Sequence, residues 1–186
     1  MQLDTREKFS HITVALHWLV GLSIIGLLAV GVYMTETETG SLYPIHKAFG
    51  FLIFFVVLGR VVWRLKNGWP IPVSQYSQIE QILAKVVHWV LILGTLLMPV
   101  SGFLMSTMGG HGLDVFGLEV VARNVNPENP TKAMPINREL ASFAHTVHHW
   151  LGEAMIVAVV LHVAGALKHH LMDRDGTLRR MLGARV

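Results

Sequence analysis

The chain has 186 residues, of which 52% are hydrophobic and 15% charged, with a net charge of +3 and a mean hydropathy of +0.49. Soluble domains carry about 25% charged residues, so the missing charge is a membrane signal. There is no cysteine, which excludes disulfides, Cys-ligated iron–sulfur clusters and covalent C-x-x-C-H haem attachment; the small net charge, with Lys and Arg gathered at segment ends, gives no ground for a nucleic-acid partner.

Four apolar stretches are long enough to cross a bilayer. The first runs over about 11–34 and contains His17. Its polar ten-residue leader is followed by no A-x-A site, so a retained anchor is expected rather than a cleaved signal peptide. The second, about 43–64, contains His46 and Arg60, and Pro44 suits its first turn. The third, about 82–108, opens near His88, and Pro99 should kink it. A loop over 109–138, rich in Gly, Pro and Asn, is the one place for extramembrane structure. The fourth, about 140–171, is interrupted by histidines and Glu153, which would suit an amphipathic surface helix. However, Ala154 to Leu167 is apolar on every face except at His162. The expectation is an all-α fold: one domain over residues 1–186, built as a transmembrane four-helix bundle without internal repeats.

Orientation follows the distribution of Lys and Arg. Eleven (Arg6, Lys8, Arg60, Arg64, Lys66, Lys85, Lys168, Arg174, Arg179, Arg180, Arg185) lie towards one side and four (Lys47, Arg123, Lys132, Arg138) towards the other. Both termini are therefore expected in the cytoplasm of a bacterial cell, with the chain in the inner membrane and the 109–138 loop outside.

His148 and His162 stand fourteen residues apart on the fourth span. On a helix that is just under four turns, so the two leave nearly one face about 21 Å apart. A hydrocarbon core is about 30 Å thick, so one helix would carry imidazoles at two depths. Ionisable groups there are costly and usually functional. Alternating span directions put His17 at the depth of His162 and His46 at the depth of His148. Each pair could hold one metal centre between two helices. Structural zinc usually takes four ligands, whereas bis-imidazole haem needs only two and buries a broad apolar ring. Gly21, Gly50, Gly152 and Ala166 each follow one of these histidines by four residues. A minimal side chain there leaves room for a flat macrocycle, although small residues also serve ordinary membrane-helix packing.

Other residues carry weaker signals. His145 and His149 compete with His148 but lie 100° or more from the His162 face, against about 40° for His148. They could also bind a metal ion as an i, i+4 pair, or His149 could simply bond Glu153. His169, seven residues past His162, and His88 share the inner depth. They could hydrogen-bond a quinone carbonyl and carry its protons, or be interfacial polar residues. Arg60 lies on the His46 face at the inner depth, suited to a haem propionate, a quinone pocket or lipid headgroups. Trp18, Trp63 and Trp150 read as interface anchors, and Met98, Met105 and Met108 as packing. His11 and His111 lie at the aqueous boundary.

At these residues the chain resembles the bacterial cytochrome b561 family of small di-haem membrane proteins. The stretches that carry the resemblance are ALHWLV, PIHKAFGFLIFFVVLGRVVWRLK, VVHWVLILGTLLMPVSGFLM, TVHHWLGEAMIVAVVLHVAGALKHH and DRDGTLRRMLG. The resemblance implies two non-covalent b haems with His17, His46, His148 and His162 as axial ligands, and a quinone near His169 with His88 nearby. It also implies passage of electrons to ubiquinone, with superoxide as the external donor in one branch. The loop departs from that last expectation. Glu36, Glu38, Asp114, Glu119 and Glu128 oppose Lys47, Lys132 and Arg138, whereas an anionic donor calls for positive potential.

Three functions follow. The first is transmembrane electron transfer between an external-face or soluble donor and ubiquinone in the bilayer, which includes superoxide:ubiquinone oxidoreductase activity. The second is a cytochrome b anchor subunit of a larger dehydrogenase or hydrogenase. The third is a divalent-metal transporter that uses the histidines directly.

Overall fold

Each apolar stretch forms one long helix. The computed structural model describes residues 3–186, with α1 over His11–Glu36, α2 over Tyr43–Asn67, α3 over Gln78–Met108 and α4 over Arg138–Leu171. All four are long and apolar enough to cross a membrane. Their outward faces carry large apolar side chains: Leu22 is 61% exposed, Leu65 80% and Trp150 66%. Water would penalise such a surface; hydrocarbon does not.

Local chemistry sets the helix ends. The Ser10 hydroxyl accepts from Thr13 N, and the Asn137 side chain accepts from Leu140 N, each satisfying a free N–H of the first turn. α2 follows a 3-10 turn at Gly40–Leu42, with proline in its first turn, and stops at Gly68, whose φ of 74° suits glycine. A reciprocal Ser77–Glu80 capping box starts α3 four residues before the apolar run at Ile82. Pro99 lies inside α3, which continues through it.

The most extensive packing is α3 against α4, with α1 on α2 and α2 on α3; α1 and α4 meet little. Val20, Ile24, Ile53, Val57 and Met155 form the buried core. Met155, fully buried, stands midway between His148 and His162 on α4. This apolar core therefore lies between the two histidine depths.

The all-α expectation describes the bundle but not the loop between α3 and α4. Two antiparallel hairpins stand there: β1 (Leu113–Val115) with β2 (Leu118–Val121), and β3 (Val125–Asn126) with β4 (Asn129–Ala133). The first turns at Phe116 and Gly117, both with positive φ. Strands this short carry too little apolar periodicity to stand out from a polar loop. The hairpin leans on α2: the Phe116 and Phe49 rings lie 5.4 Å apart, and Lys47 Nζ donates to Ser106 Oγ and Gly112 O at 3.2 Å.

The other end is capped by α5 (Thr177–Met181). Arg180, read from sequence as a charge flanking the membrane, is only 3% exposed. It donates to the carbonyls of Arg6 and Ile71 and lies 4.2 Å from the Phe9 ring centre. Trp18 Nε1 donates to Met181 O at 2.7 Å. Trp63 departs from the interface-anchor expectation: it is buried, with Nε1 donating to Thr13 Oγ1 at 2.7 Å.

Candidate functional site

Two histidine pairs meet across the bundle. His46 on α2 faces His148 on α4 with ring centroids 6.3 Å apart, and His17 on α1 faces His162 on α4 at 6.0 Å. Two metal–nitrogen bonds of about 2 Å each, with about 1.2 Å from nitrogen to ring centre on both sides, would set imidazole centroids about 6.4 Å apart. Both separations suit one metal between two imidazoles. His145 and His149 form no comparable pair with a histidine of another helix; His149 instead lies against Trp150.

The surroundings also suit a flat macrocycle. All four rings are only partly buried by the protein itself. A Cβ built on Gly21 or Gly50 would meet nothing within 4 Å, and one on Gly152 would meet only Met98 Cε at 3.8 Å. These are the glycines four residues beyond His17, His46 and His148, so the space beside each ring is open. Among the described residues, no three His, Asp or Glu side chains converge as a metal-ion site. A porphyrin iron takes at most two protein ligands, and each depth offers two imidazoles that face each other at a suitable separation.

Hydrogen bonding treats the four rings differently. His148 Nδ1 lies 3.0 Å from Met98 O and 3.1 Å from Ser101 Oγ, whose own hydroxyl reaches the Leu97 carbonyl at 2.8 Å. A carbonyl can only accept, so Nδ1 carries the proton and Nε2 is left free for a metal. Gly102 permits this approach, since its Cβ position is 3.1 Å from His148 Cε1. His46 Nδ1 is buried without a partner. At the other depth, Arg60 Nη2 lies 3.1 Å from His17 Nδ1. Arginine only donates, so this contact makes Nδ1 an acceptor and puts the proton on Nε2. For His17 to hold a metal through Nε2, that proton would have to leave Nε2 and the Arg60 contact would have to open. The residues fit haem at both pairs once Arg60 moves.

The two histidines read as quinone-facing have separate surroundings. His88 on α3 donates through Nδ1 to Ala84 O at 2.6 Å and turns its ring to His162, with centroids 5.3 Å apart. It is a third imidazole at the inner pair. His169, at the end of α4, packs on the Tyr76 ring at 4.5 Å and places Nδ1 2.7 Å from Asp173 Oδ2. Sequence reading missed Ser101, Tyr76, Asp173 and Asp175. Ser101 lies three residues after Met98, a spacing with no motif attached. The other three sit in polar loops that carry no apolar period.

The sequence pattern of prokaryotic cytochrome b561 matches residues 8–184. The chain belongs to that family. Cytochrome b561 homolog 2 of Escherichia coli K12 is 33% identical over 97% of this chain and 94% of its own length. The probable superoxide oxidase CybB of Yersinia pestis is 27% identical over 95% and 96%, and cytochrome b561 homolog 1 of E. coli K12 is 22% identical over 96% and 99%. This cytochrome b561 is a bacterial integral membrane protein of electron transport, and its family binds b-type haem.

Proposed function

We propose that this cytochrome b561 holds two b-type haems, one between His46 and His148 and one between His17 and His162, and that it passes electrons from a donor on the hairpin side to ubiquinone on the side of the termini. The observation that carries this is the pair of imidazole separations, 6.3 and 6.0 Å, at two depths of one spanning bundle. Bound there, haem would supply one-electron transfer. The residues of the chain hold, orient and insulate. Met98 O and Ser101 keep the His148 proton on Nδ1; the Val20–Val57–Met155 core keeps water from the space between the pairs; Arg60 sets a positive charge beside the inner one.

The remaining assignments complete this reading. His169 and His88 serve the quinone end, and Arg60 pairs with a haem propionate there. The chain acts as one domain of the inner membrane with both termini cytoplasmic, as its Lys and Arg distribution favours. The relative named a probable superoxide oxidase supports superoxide as the donor, with Lys47, next to His46 in the chain, a cation on the hairpin side.

An absorption spectrum of the purified protein, before and after dithionite, tests the haem reading. Sharp reduced b-type bands at two haems per chain are expected, falling to one in either His148→Ala or His162→Ala. A colourless folded protein, or two haems retained in either variant, overturns it. Reoxidation of the reduced protein by ubiquinone tests the acceptor.

A further inference from the structure

Reducing a quinone to a quinol takes two electrons, which electron transport supplies, and two protons, which must come from the protein or from water. Resting on the quinone reading above, the geometry points to Asp173, with Tyr76 and Asp175, as the set that positions His169 to donate one of those protons.

Three side chains converge on this ring. Asp173 Oδ2 lies 2.7 Å from His169 Nδ1, and Asp175 Oδ2 lies 3.8 Å away. A carboxylate accepts, so Nδ1–H faces Asp173 and Nε2 faces away, free for a ligand. The Tyr76 ring packs on the imidazole at 4.5 Å, limiting its rotation. The Tyr76 hydroxyl in turn donates to Asp175 Oδ2 at 2.5 Å, and Thr177 N donates to Asp175 Oδ1 at 2.8 Å. Asp175 is nearly buried, with 4% of its side chain exposed, while Asp173 is 31% exposed and reaches water. Lys168 binds both Asp173 and Glu80, tying the end of α4 to the start of α3. The two carboxylates next to the ring, with Lys168 beyond them, surround an imidazole fixed in orientation at the end of a spanning helix.

The chemistry balances through this ring. The quinone gains two electrons. One quinone oxygen uses a lone pair to take a proton from Nε2, which leaves a neutral imidazole still bonded through Nδ1–H to Asp173; the opposite oxygen takes its proton from water. Nε2 regains a proton from water before the next quinone is reduced. The net change is quinone plus two electrons and two protons to quinol. Asp173 touches no substrate; it acts by holding the ring and balancing its charge.

The test uses the full haem-loaded protein, reduced in advance and mixed with a short-chain ubiquinone in H2O and in D2O. Asp173→Ala should slow reoxidation about tenfold, raise the solvent isotope effect, leave the KM for quinone within twofold, and leave both haem bands unchanged. Asp173→Glu should restore most of the rate. Asp173→Asn, which keeps the shape and loses the charge, should fall between. Full rate in Asp173→Ala and Asp173→Asn, with no change in isotope effect, overturns the proposal. Failure of the unaltered protein to reduce the quinone at all, with both haem bands present, overturns the acceptor reading itself and is recognisable as that.

Discussion

Arg60 donates to His17 Nδ1 at 3.1 Å, a bond that a metal-bound His17 must give up. A guanidinium freed from that bond would stand as a cation beside the inner pair, where the proposed reading sets a propionate. A positive charge beside a redox centre favours its reduced form, because reduction adds an electron. Arg60→Gln should therefore lower the potential of the inner centre while both haems remain bound. A fall on the order of 60 mV, a tenfold change in a one-electron equilibrium, is expected in a spectroelectrochemical titration. The outer centre should not move. Equal shifts at both centres would place Arg60 elsewhere than at the inner pair.

Gly102 has a different relation to the outer pair. A Cβ there would stand 3.1 Å from His148 Cε1 and 3.3 Å from Nδ1. Alanine needs a displacement of a few tenths of an ångström. Valine adds two methyl groups and pushes the ring off the Met98 and Ser101 acceptors. Gly102→Val should halve the haem content, removing the outer haem and sparing the inner one, whereas Gly102→Ala should keep both. Full haem content in the valine variant would show that His148 is not held where Gly102 limits it.

The helices and the histidine pairing were legible because both follow from periodicity. Spans longer than a bilayer is thick, alternating direction, and His spacings near whole turns bring His17 to His162 and His46 to His148. The placement of His88 was not legible. Its depth follows from sequence, but its turn towards His162 rather than His169 depends on the rotation of α3 against α4, which hydropathy does not encode. Arg180 shows the same limit. A charge count assigns it to a membrane flank, while the structure buries it over Phe9, because three backbone and side-chain partners converge from segments distant in sequence. The start of α3 was encoded all the same: Ser77 and Glu80 form the capping box that an apolar window starting at Ile82 passes over.

Gly94 and Met155 carry a packing prediction. A Cβ on Gly94 would overlap the Met155 thioether, and Met155 is fully buried between the two histidine depths. Overpacking of this kind costs about 1–3 kcal/mol, softened where a flexible methionine can yield. Gly94→Ala should lower the Tm in detergent by several degrees. Adding Met155→Ala should recover part of that loss, since neighbouring substitutions are not additive. Strict additivity of the two Tm changes would mean that the side chains do not meet.

The cap at the side of the termini should be acid-labile. Asp4 accepts from Ser10 N and Thr13 Oγ1, each at 2.8 Å, and has Arg64 at 3.8 Å. Burial pushes its carboxyl up, but the hydrogen bonds from Ser10, Thr13 and Asn67 outweigh this and hold it below the usual range. Burial likewise opposes the Tyr76 and Thr177 hydrogen bonds at Asp175, which still leave that carboxyl lowered. A carboxylate whose folded pKa is depressed contributes stability that is present above its unfolded value and lost as pH falls through the folded one. Acidification from about pH 5 to about pH 2, well below the ordinary Asp range, should therefore weaken these contacts. Tyr76 has the opposite sign: burial, then the bond to Asp175, raises its hydroxyl, so its contribution is lost in alkali. Hydrogen exchange corrected for intrinsic rates should show amides near Ser10 and Thr177 losing protection in acid. Amides around Val57 and Met155 should stay protected, because no titratable group of the cap reaches that core. Protection near Ser10 that is equal at both pH values would show that Asp4 does not hold the cap closed.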